Sequence, residues 1–234
     1  MKYYLSFILF LTISFCQEIP FKVGELLKYS AQFQQIPVGE AELFFKGEEK
    51  FNEIDVYHVT WKAYTKGLAS TVFKIQDKID IWIDKKDFFT HRLKKDINEG
   101  SYSKKVDVKF DYAKSIATTD SKEIPIDFKA RDPFSMFYYL RTIKLKENVV
   151  MNFSAYEGKK IINYNLQMTG REIIKSPIGE FKCKIIKPFR NGKNLFKNSG
   201  DMRIWISDDK QRLPVKIQIK MKVGTMTLLL KEIN

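Results

Sequence analysis

Cysteine and histidine are almost missing from this chain of 234 residues, which has two of each. Cys16 closes a short apolar leader and Cys183 is the only cysteine after it. Loss of the leader therefore leaves no intramolecular disulfide, and the core must supply stability unaided. Cys183 sits in "FKCKI", where Phe181, Cys183 and Ile185 alternate onto one face. That pattern suits a buried apolar thiol rather than a nucleophile. His58 and His91 are far apart and lack a His-x-Glu or His-x-x-x-His spacing, so neither a zinc site nor any other metal or cofactor site is expected. The Gly-x-Ser-x-Gly, phosphate-loop and dinucleotide glycine motifs are absent too. After the leader, no apolar run is long enough to cross a bilayer.

The leader itself, "MKYYLSFILFLTISFC", carries one lysine. Its run from Leu5 to Phe15 is apolar apart from Ser6, Thr12 and Ser14. That is the build of a signal peptide, and Ser14 and Cys16 put small residues where a signal peptidase reads, predicting cleavage before Gln17. A competing reading makes Cys16 a lipidated N-terminus, but lipoprotein signals want a small residue where Phe15 stands. Residues 1–16 are thus read as a signal peptide and residues 17–234 as a single β-rich domain of the periplasm or cell envelope, with no Pro- or Ser-rich linker inside it. Lys and Arg total 41 against 28 Asp and Glu, a formal net charge of +13. An exported chain does not meet nucleic acid, so anionic lipid headgroups, lipopolysaccharide phosphates or acidic envelope polymers are the expected basic-surface partners. The lysines are scattered along strand-like stretches, which also fits a plain solvated face.

Strict alternation is the main signal present. In "VKIQIKMKV", Val215, Ile217, Ile219, Met221 and Val223 point one way and Lys216, Gln218, Lys220 and Lys222 the other. "KVDVKFD" from Lys105 and "VTWKAY" from Val59 repeat the pattern. Turn signals recur from Pro37 to Gly39, at Gly47, from Asn98 to Gly100, at Glu157-Gly158, from Pro177 to Gly179, at Asn191-Gly192, from Asn198 to Gly200 and at Asp208-Asp209. Short strands with such turns predict an antiparallel sheet wetted on one side. One stretch differs: in "RDPFSMFYYLRTIKL", Asp132 is placed to cap a helix with Pro133 at its first position, and Phe134, Phe137, Tyr138 and Arg141 follow at helical spacing. One central helix is therefore predicted from about Asp132 to Ile143.

The two halves resemble each other. "DKIDIWIDKKDFFTHRLKKD" (from Asp77) and "DMRIWISDDKQRLPVKIQIK" (from Asp201) both give Ile-Trp-Ile, an acidic turn and a second extended stretch. "IPVGEAELFF" (from Ile36) is read as the counterpart of "SPIGEFKCKI" (from Ser176). The fold class expected is mainly β: a large curved antiparallel sheet or half-barrel built from two similar meanders, folded over the central helix.

Three stretches carry a resemblance: "PFKVGELLKYSAQFQQIPVGEAEL", "RDPFSMFYYLR", and "SPIGEFKCKII" with "GDMRIWISDDKQRLPVKIQIKMKVGTMTLLL". Together the chain resembles the bacterial domain-of-unknown-function family 3108 over nearly all of residues 17–234. The resemblance implies an envelope protein with a signal peptide and an extended, curved antiparallel sheet. It brings no catalytic residues. At the level of analogy the expected sheet is also similar to LolA-type lipoprotein-carrier half-barrels.

Carboxylate pairs offer an enzyme reading: Asp80 and Asp84 flank Trp82, and Asp208-Asp209 occupy the later turn. Turn chemistry accounts for the second pair, and alternation with Ile79, Ile81 and Ile83 reads the first as a solvated face. Ser135 has no histidine near it in sequence, so no catalytic residue is assigned. Aromatic residues are the richest class. Phe134, Phe137, Tyr138 and Tyr139 crowd the helix, and Trp61, Trp82 and Trp205 come from three strands. Read structurally, they are the core under a helix. Read functionally, they line a cavity for an acyl chain, with Tyr139 at its mouth. The expected functions are non-enzymatic binding of a lipid or other amphiphile; in the alternative, a filled structural module docking another envelope protein; and third, a hydrolase.

Overall fold

The alternation that dominates the sequence appears as strands. The computed structural model describes residues 19–119, 122–126, 129–156, 161–191, 195 and 200–234. The expected leader with Cys16, and all or part of the turns at Glu157-Gly158, Asn191-Gly192 and Asn198 to Gly200, lie outside the described residues. The first meander is β1 (Leu26–Phe33), β2 (Ile36–Phe51), β3 (Ile54–Thr65), β4 (Gln76–Asp84), β5 (Thr90–Glu99), β6 (Tyr102–Asp111), β7 (Ile116–Thr119) and β8 (Lys122–Pro125). The second is β9 (Val150–Tyr156), β10 (Ile161–Ser176), β11 (Gly179–Phe189), β12 (Asp201–Ser207), β13 (Pro214–Met221) and β14 (Gly224–Ile233). A short helix α1 (Leu68–Val72) interrupts the first meander, and α2 (Pro133–Thr142) joins the two.

These strands form one 14-stranded antiparallel sheet in the order β8-β7-β6-β5-β4-β3-β2-β1-β14-β13-β12-β11-β10-β9. Each meander runs outward from a shared centre, where the first strand pairs with the last (Leu27 opposite Ile233, Phe33 opposite Met226). The sheet is not closed into a barrel: β8 and β9 are its edges. Between them the strand-like pair Ala130-Arg131 lashes one wall to the other. Thr90 N donates to Ala130 O (2.9 Å), Arg131 N to Ser154 O (2.9 Å) and Tyr156 N to Arg131 O (3.0 Å).

The two meanders are copies in register. One and the same shift in numbering carries Trp82 onto Trp205, Glu49 onto Glu172 and Gly47 onto Gly170. Both glycines have positive φ (127° and 159°) and sit where the pairing with the next strand slips by a residue. A bulge of this kind needs a left-handed backbone that glycine adopts without a Cβ clash, and it bends the strand. A second bulge falls after each tryptophan, between Trp82 and Ile83 and between Trp205 and Ile206. Gly47, read as a turn, is thus a bulge inside β2. The proposed match of "IPVGE" with "SPIGE" is also corrected, since the first opens β2 and the second spans the hairpin between β10 and β11. The Ile-Trp-Ile segments are the true equivalents.

The inner face is apolar. Leu27, Tyr29, Leu43, Phe45, Ile81, Ile83, Leu93, Leu166, Ile186, Ile204 and Val215 are all buried in one core shared by both meanders and α2. Each such side chain contributes about 1.5 to 3 kcal/mol by leaving water. The helix is fixed at its start as the sequence predicts. Asp132 is extended (φ −110°, ψ 170°), its Oδ1 accepts from Phe134 N (2.8 Å) and Ser135 N (3.1 Å), and Ser135 Oγ accepts from Asp132 N (2.9 Å). Helix α1 goes beyond the single helix expected. It is five residues long with no buried residue, so it leaves no periodic trace in the sequence.

Candidate functional site

The helix and the strands facing it bring together part of the predicted aromatic set. Phe137 is only 3% exposed and Tyr138 is fully buried. Phe134 stacks at a tilt on Trp61, with ring centroids 4.8 Å apart. Tyr138 meets Phe21 at 4.8 Å and Phe45 at 5.6 Å, and Phe21 meets Phe45 edge-on at 4.9 Å. Tyr139 is half-buried on the far side of the helix, where the Arg131 guanidinium lies 3.9 Å from its ring centre and 4.4 Å from that of Phe89. Phe137, Tyr138 and Trp61 thus belong to one buried core, with Phe134 and Tyr139 partly buried against it.

At the end of this group lies a feature the sequence reading missed. Arg141 is fully buried and forks onto Glu25: Nη2 donates to Oε2 at 2.9 Å and Nη1 to Oε1. It also donates to Pro20 O (3.0 Å) and Gln211 O (3.2 Å), and Arg212 Nη1 returns a bond to Arg141 O (2.8 Å). One side chain therefore ties the helix to the N-terminal segment and to the turn between β12 and β13. Arg141 was visible on the helical stripe, but its carboxylate partner is 116 residues away. Above it the Tyr138 hydroxyl is buried without a hydrogen-bond partner among the described residues, and burial holds its pKa well above the ordinary value.

Trp82 and Trp205 stand on the other face of the sheet. Trp61 pairs across strands with Ile79, on the inner face, whereas Trp82 pairs with His58 and Arg92, on the outer one. Trp82 Nε1 donates to Glu49 Oε2 (2.8 Å), its ring stacks on His58 (4.4 Å) and the Arg92 guanidinium lies 4.9 Å above it. Trp205 repeats the polar contacts, with Nε1 to Glu172 Oε2 at 2.7 Å and Lys216 Nζ 4.4 Å above the ring, but it is only 2% exposed and packs with the core, unlike Trp82. Alternation could have separated them, because each tryptophan lies between two core isoleucines. The seven predicted residues are therefore not brought to one site.

The Trp82 cluster holds the densest polar chemistry. His58 is buried with Nδ1 2.6 Å from Glu49 Oε1 and Nε2 3.1 Å from Asp80 Oδ1. Thr60 Oγ1 donates to Asp80 Oδ1 (2.7 Å), and Lys78 Nζ is 2.8 Å from Oδ2. Burial alone would raise the Asp80 carboxyl, but the bonds from His58, Lys78 and Thr60 outweigh it and hold it well below the carboxylate range. Asp80 is thus no solvated residue, and the expectation that it was is corrected. Burial would also raise Glu49, and the bonds from His58 and Trp82 lower it. These carboxylates are satisfied by their hydrogen-bond and ion-pair partners, and the Thr60 hydroxyl is engaged with Asp80. The cluster pins β2, β3 and β4 together rather than presenting a free base. Asp84 is held at about 2 by the His91 imidazole and by two backbone amides of its turn. Asp209 Oδ1 likewise accepts from Gln211 N and Arg212 N (both 2.9 Å), the turn role expected of it. Cys183 is a buried free thiol, pushed up to about 12 chiefly by burial.

Concavities lie on the surface. A groove of about 380 Å³ is lined by Leu26, Glu42, Phe44, Lys46, Thr60, Lys62 and Lys78. It shares Lys62 and Lys78 with an open groove of about 840 Å³ between α1 and strands β3 to β5. Neither is lined by the aromatic group at α2. Among the described residues no group of three or more His, Cys, Asp or Glu is placed to hold a metal ion, and no helix is long and apolar enough to cross a membrane.

Comparison with known proteins supplies a family and a fold. The model of a protein of unknown function (DUF3108) matches residues 28–231. No curated protein matches the sequence. Among solved structures, the chain is similar to a β-barrel-like protein of the domain of unknown function DUF1849 from Brucella abortus, at 10% identity and a TM-score of 0.59, covering 91% of this chain and 97% of that one. That likeness is one of fold. Weaker similarity reaches a candidate lipoprotein of Parabacteroides distasonis (11% identity, TM-score 0.42, 92% and 98% covered) and a candidate exported protein of YmcC-like fold from Bacteroides fragilis (8%, 0.41, 92% and 98%).

Proposed function

The chain belongs to the DUF3108 family of proteins of unknown function, and on that premise we propose that it is an exported envelope protein that binds non-enzymatically through its outer surface, its interior filled by its own helix. The observation that carries this reading is the burial of α2. Phe137, Tyr138 and Leu140 occupy the space against the sheet that an acyl chain would need. Binding of a lipid inside the sheet, the leading expectation from sequence, would require α2 to move. Export rests on the leader and its expected cleavage before Gln17.

Phe137→Ala tests the reading. A core phenylalanine with packed neighbours costs about 3 to 5 kcal/mol when truncated, from lost transfer energy and the cavity left behind. The expected outcome is a loss of that size in urea unfolding, with no saturable binding of a fluorescent fatty acid by the parent protein. A small loss, together with saturable probe binding that the substitution weakens, would overturn the filled-interior reading and restore the carrier.

A further inference from the structure

The sheet has two chemically different ends. In a meander, alternate connections return to the same end, so β1–β2, β3–β4, β5–β6 and β13–β14 share one rim. They touch in sequence around it. Gln34 N donates to Thr225 O (2.9 Å), Lys66 N to Val38 O (3.0 Å) and Gly100 N to Lys74 O (2.7 Å). The central hairpin tips of this rim, residues 34–39, 65–75, 100–105 and 220–227, contain no aspartate or glutamate, and the carboxylates Glu40, Asp96, Glu99 and Asp201 stand at the strand ends beside them. These hairpin tips do contain Lys66, Lys74, Lys104, Lys105, Lys220 and Lys222, all exposed; Lys66 is paired with Glu40 (2.6 Å) and Lys105 lies 3.9 Å from Asp96, which leaves Lys74, Lys104, Lys220 and Lys222 as the lysines offered outward. The opposite end is mixed and acidic, with Glu48, Glu49, Glu53 and Asp55 around the β2–β3 hairpin and Asp208 and Asp209 at the β12–β13 turn.

The rim also projects apolar tips. Leu68 is 86% exposed, Val72 85% and Val223 74%, and Ile36, Phe73 and Tyr102 stand exposed beside them. Helix α1 buries nothing, so no demand of the core explains its leucine and valine. Isolated exposed apolar residues are ordinary, but a row of them on contiguous loops marks an interaction surface. The tips are separate protrusions set among flexible lysines. Such a shape suits a fluid, negatively charged layer, into whose headgroup region apolar tips sink while lysines meet phosphates.

We propose that this rim docks the protein on an anionic phospholipid bilayer, with Leu68, Val72, Val223 and Ile36 entering the interface and the rim lysines contacting headgroups. This deepens the surface-binding reading above, on which it rests, by naming the partner class. The test uses protein purified after export of the full chain, and co-sedimentation with phosphatidylcholine vesicles containing about 30 mol% phosphatidylglycerol. Binding is expected to these vesicles and not to pure phosphatidylcholine, and to weaken at high salt. Leu68→Asp/Val72→Asp should lower affinity about tenfold or more with an unchanged melting temperature, and Lys74→Glu/Lys222→Glu should do the same without touching the apolar tips. Ile54→Asp/Ile178→Asp at the opposite end should bind like the parent. The proposal is overturned if the parent ignores anionic vesicles, if it binds neutral ones as well, if both rim variants keep parental binding, or if the opposite-end variant loses as much. None of these outcomes involves Phe137, so failure here is distinguishable from failure of the filled-interior reading.

Discussion

Replacing Arg141 by methionine probes the contact that fastens the helix to the sheet. The guanidinium gives the nearly buried Glu25 carboxylate a two-pronged ion pair, and donates to the Pro20 and Gln211 carbonyls. Methionine refills most of the aliphatic volume, so the cavity contribution is small. What remains is a buried carboxylate stripped of its cation, a loss of about 3 to 5 kcal/mol, and two carbonyls short of a donor at about 1 kcal/mol together once water reaches part of them. The expected cost is about 4 to 6 kcal/mol, close to the whole stability of many domains. Urea unfolding followed by tryptophan fluorescence reads it, at constant slope if the unfolded state is unaltered. Arg141→Lys keeps the charge without the planar fork, so it should fall between the two and remain measurable if Arg141→Met does not fold. Adding Glu25→Gln to Arg141→Met removes the stranded charge and should recover at least about 1.5 kcal/mol relative to the sum of the single changes. A cost below about 1 kcal/mol for Arg141→Met, or simple additivity in the pair, would refute the claim that a buried charge pair clamps α2.

Other expectations follow from the same geometry. Asp132→Ala removes an acceptor of two backbone amides and of the Thr90 hydroxyl. It should cost about 2 kcal/mol, the upper part of the capping range, with Asp132→Asn costing less; equal unfolding midpoints for parent and Ala variant would contradict the cap. The Glu40 carboxyl would be raised by burial, but Lys231, Lys66 and Tyr64 outweigh that and hold it at about 2 against an ordinary 4.5. Its folded-state value is depressed, so its stabilisation is full above pH 4.5 and drains away as acid approaches pH 2. Glu40→Gln should therefore flatten the melting-temperature profile in that window, and a profile as steep as the parent's would count against the ion pairs. N-terminal mass spectrometry of exported protein should find Gln17 first, whereas a diacylglyceryl mass on Cys16 would make the protein a lipid-anchored one.

The sequence by itself determined what depends on neighbours a few residues apart. Alternation laid down the strands, and Asp132-Pro133 started α2 where the cap geometry now shows it. The paired Ile-Trp-Ile hairpins announced a meander used twice. Helix α1 escaped because five residues that bury nothing carry no period. The repeat was matched at the wrong glycines because "PVGE" and "PIGE" look alike as strings, while the true equivalents, Gly47 and Gly170, are bulges defined by pairing with the next strand. Only the tertiary structure decided how the two copies meet, with β1 beside β14, since antiparallel patterning is satisfied by many strand orders. Long-range partners were equally out of reach. Glu25 finds Arg141 across the core, and Glu49, His58 and Asp80 converge on the outer face, because backbone register, not sequence distance, sets which charges touch. The division of labour among the aromatics was settled the same way. Trp61 and Phe137 fill the interior, Trp82 braces the outside, Trp205 is buried beneath its lysine and glutamate partners, and apolar tips on one rim become neighbours only when alternate hairpins return to the same end of the sheet.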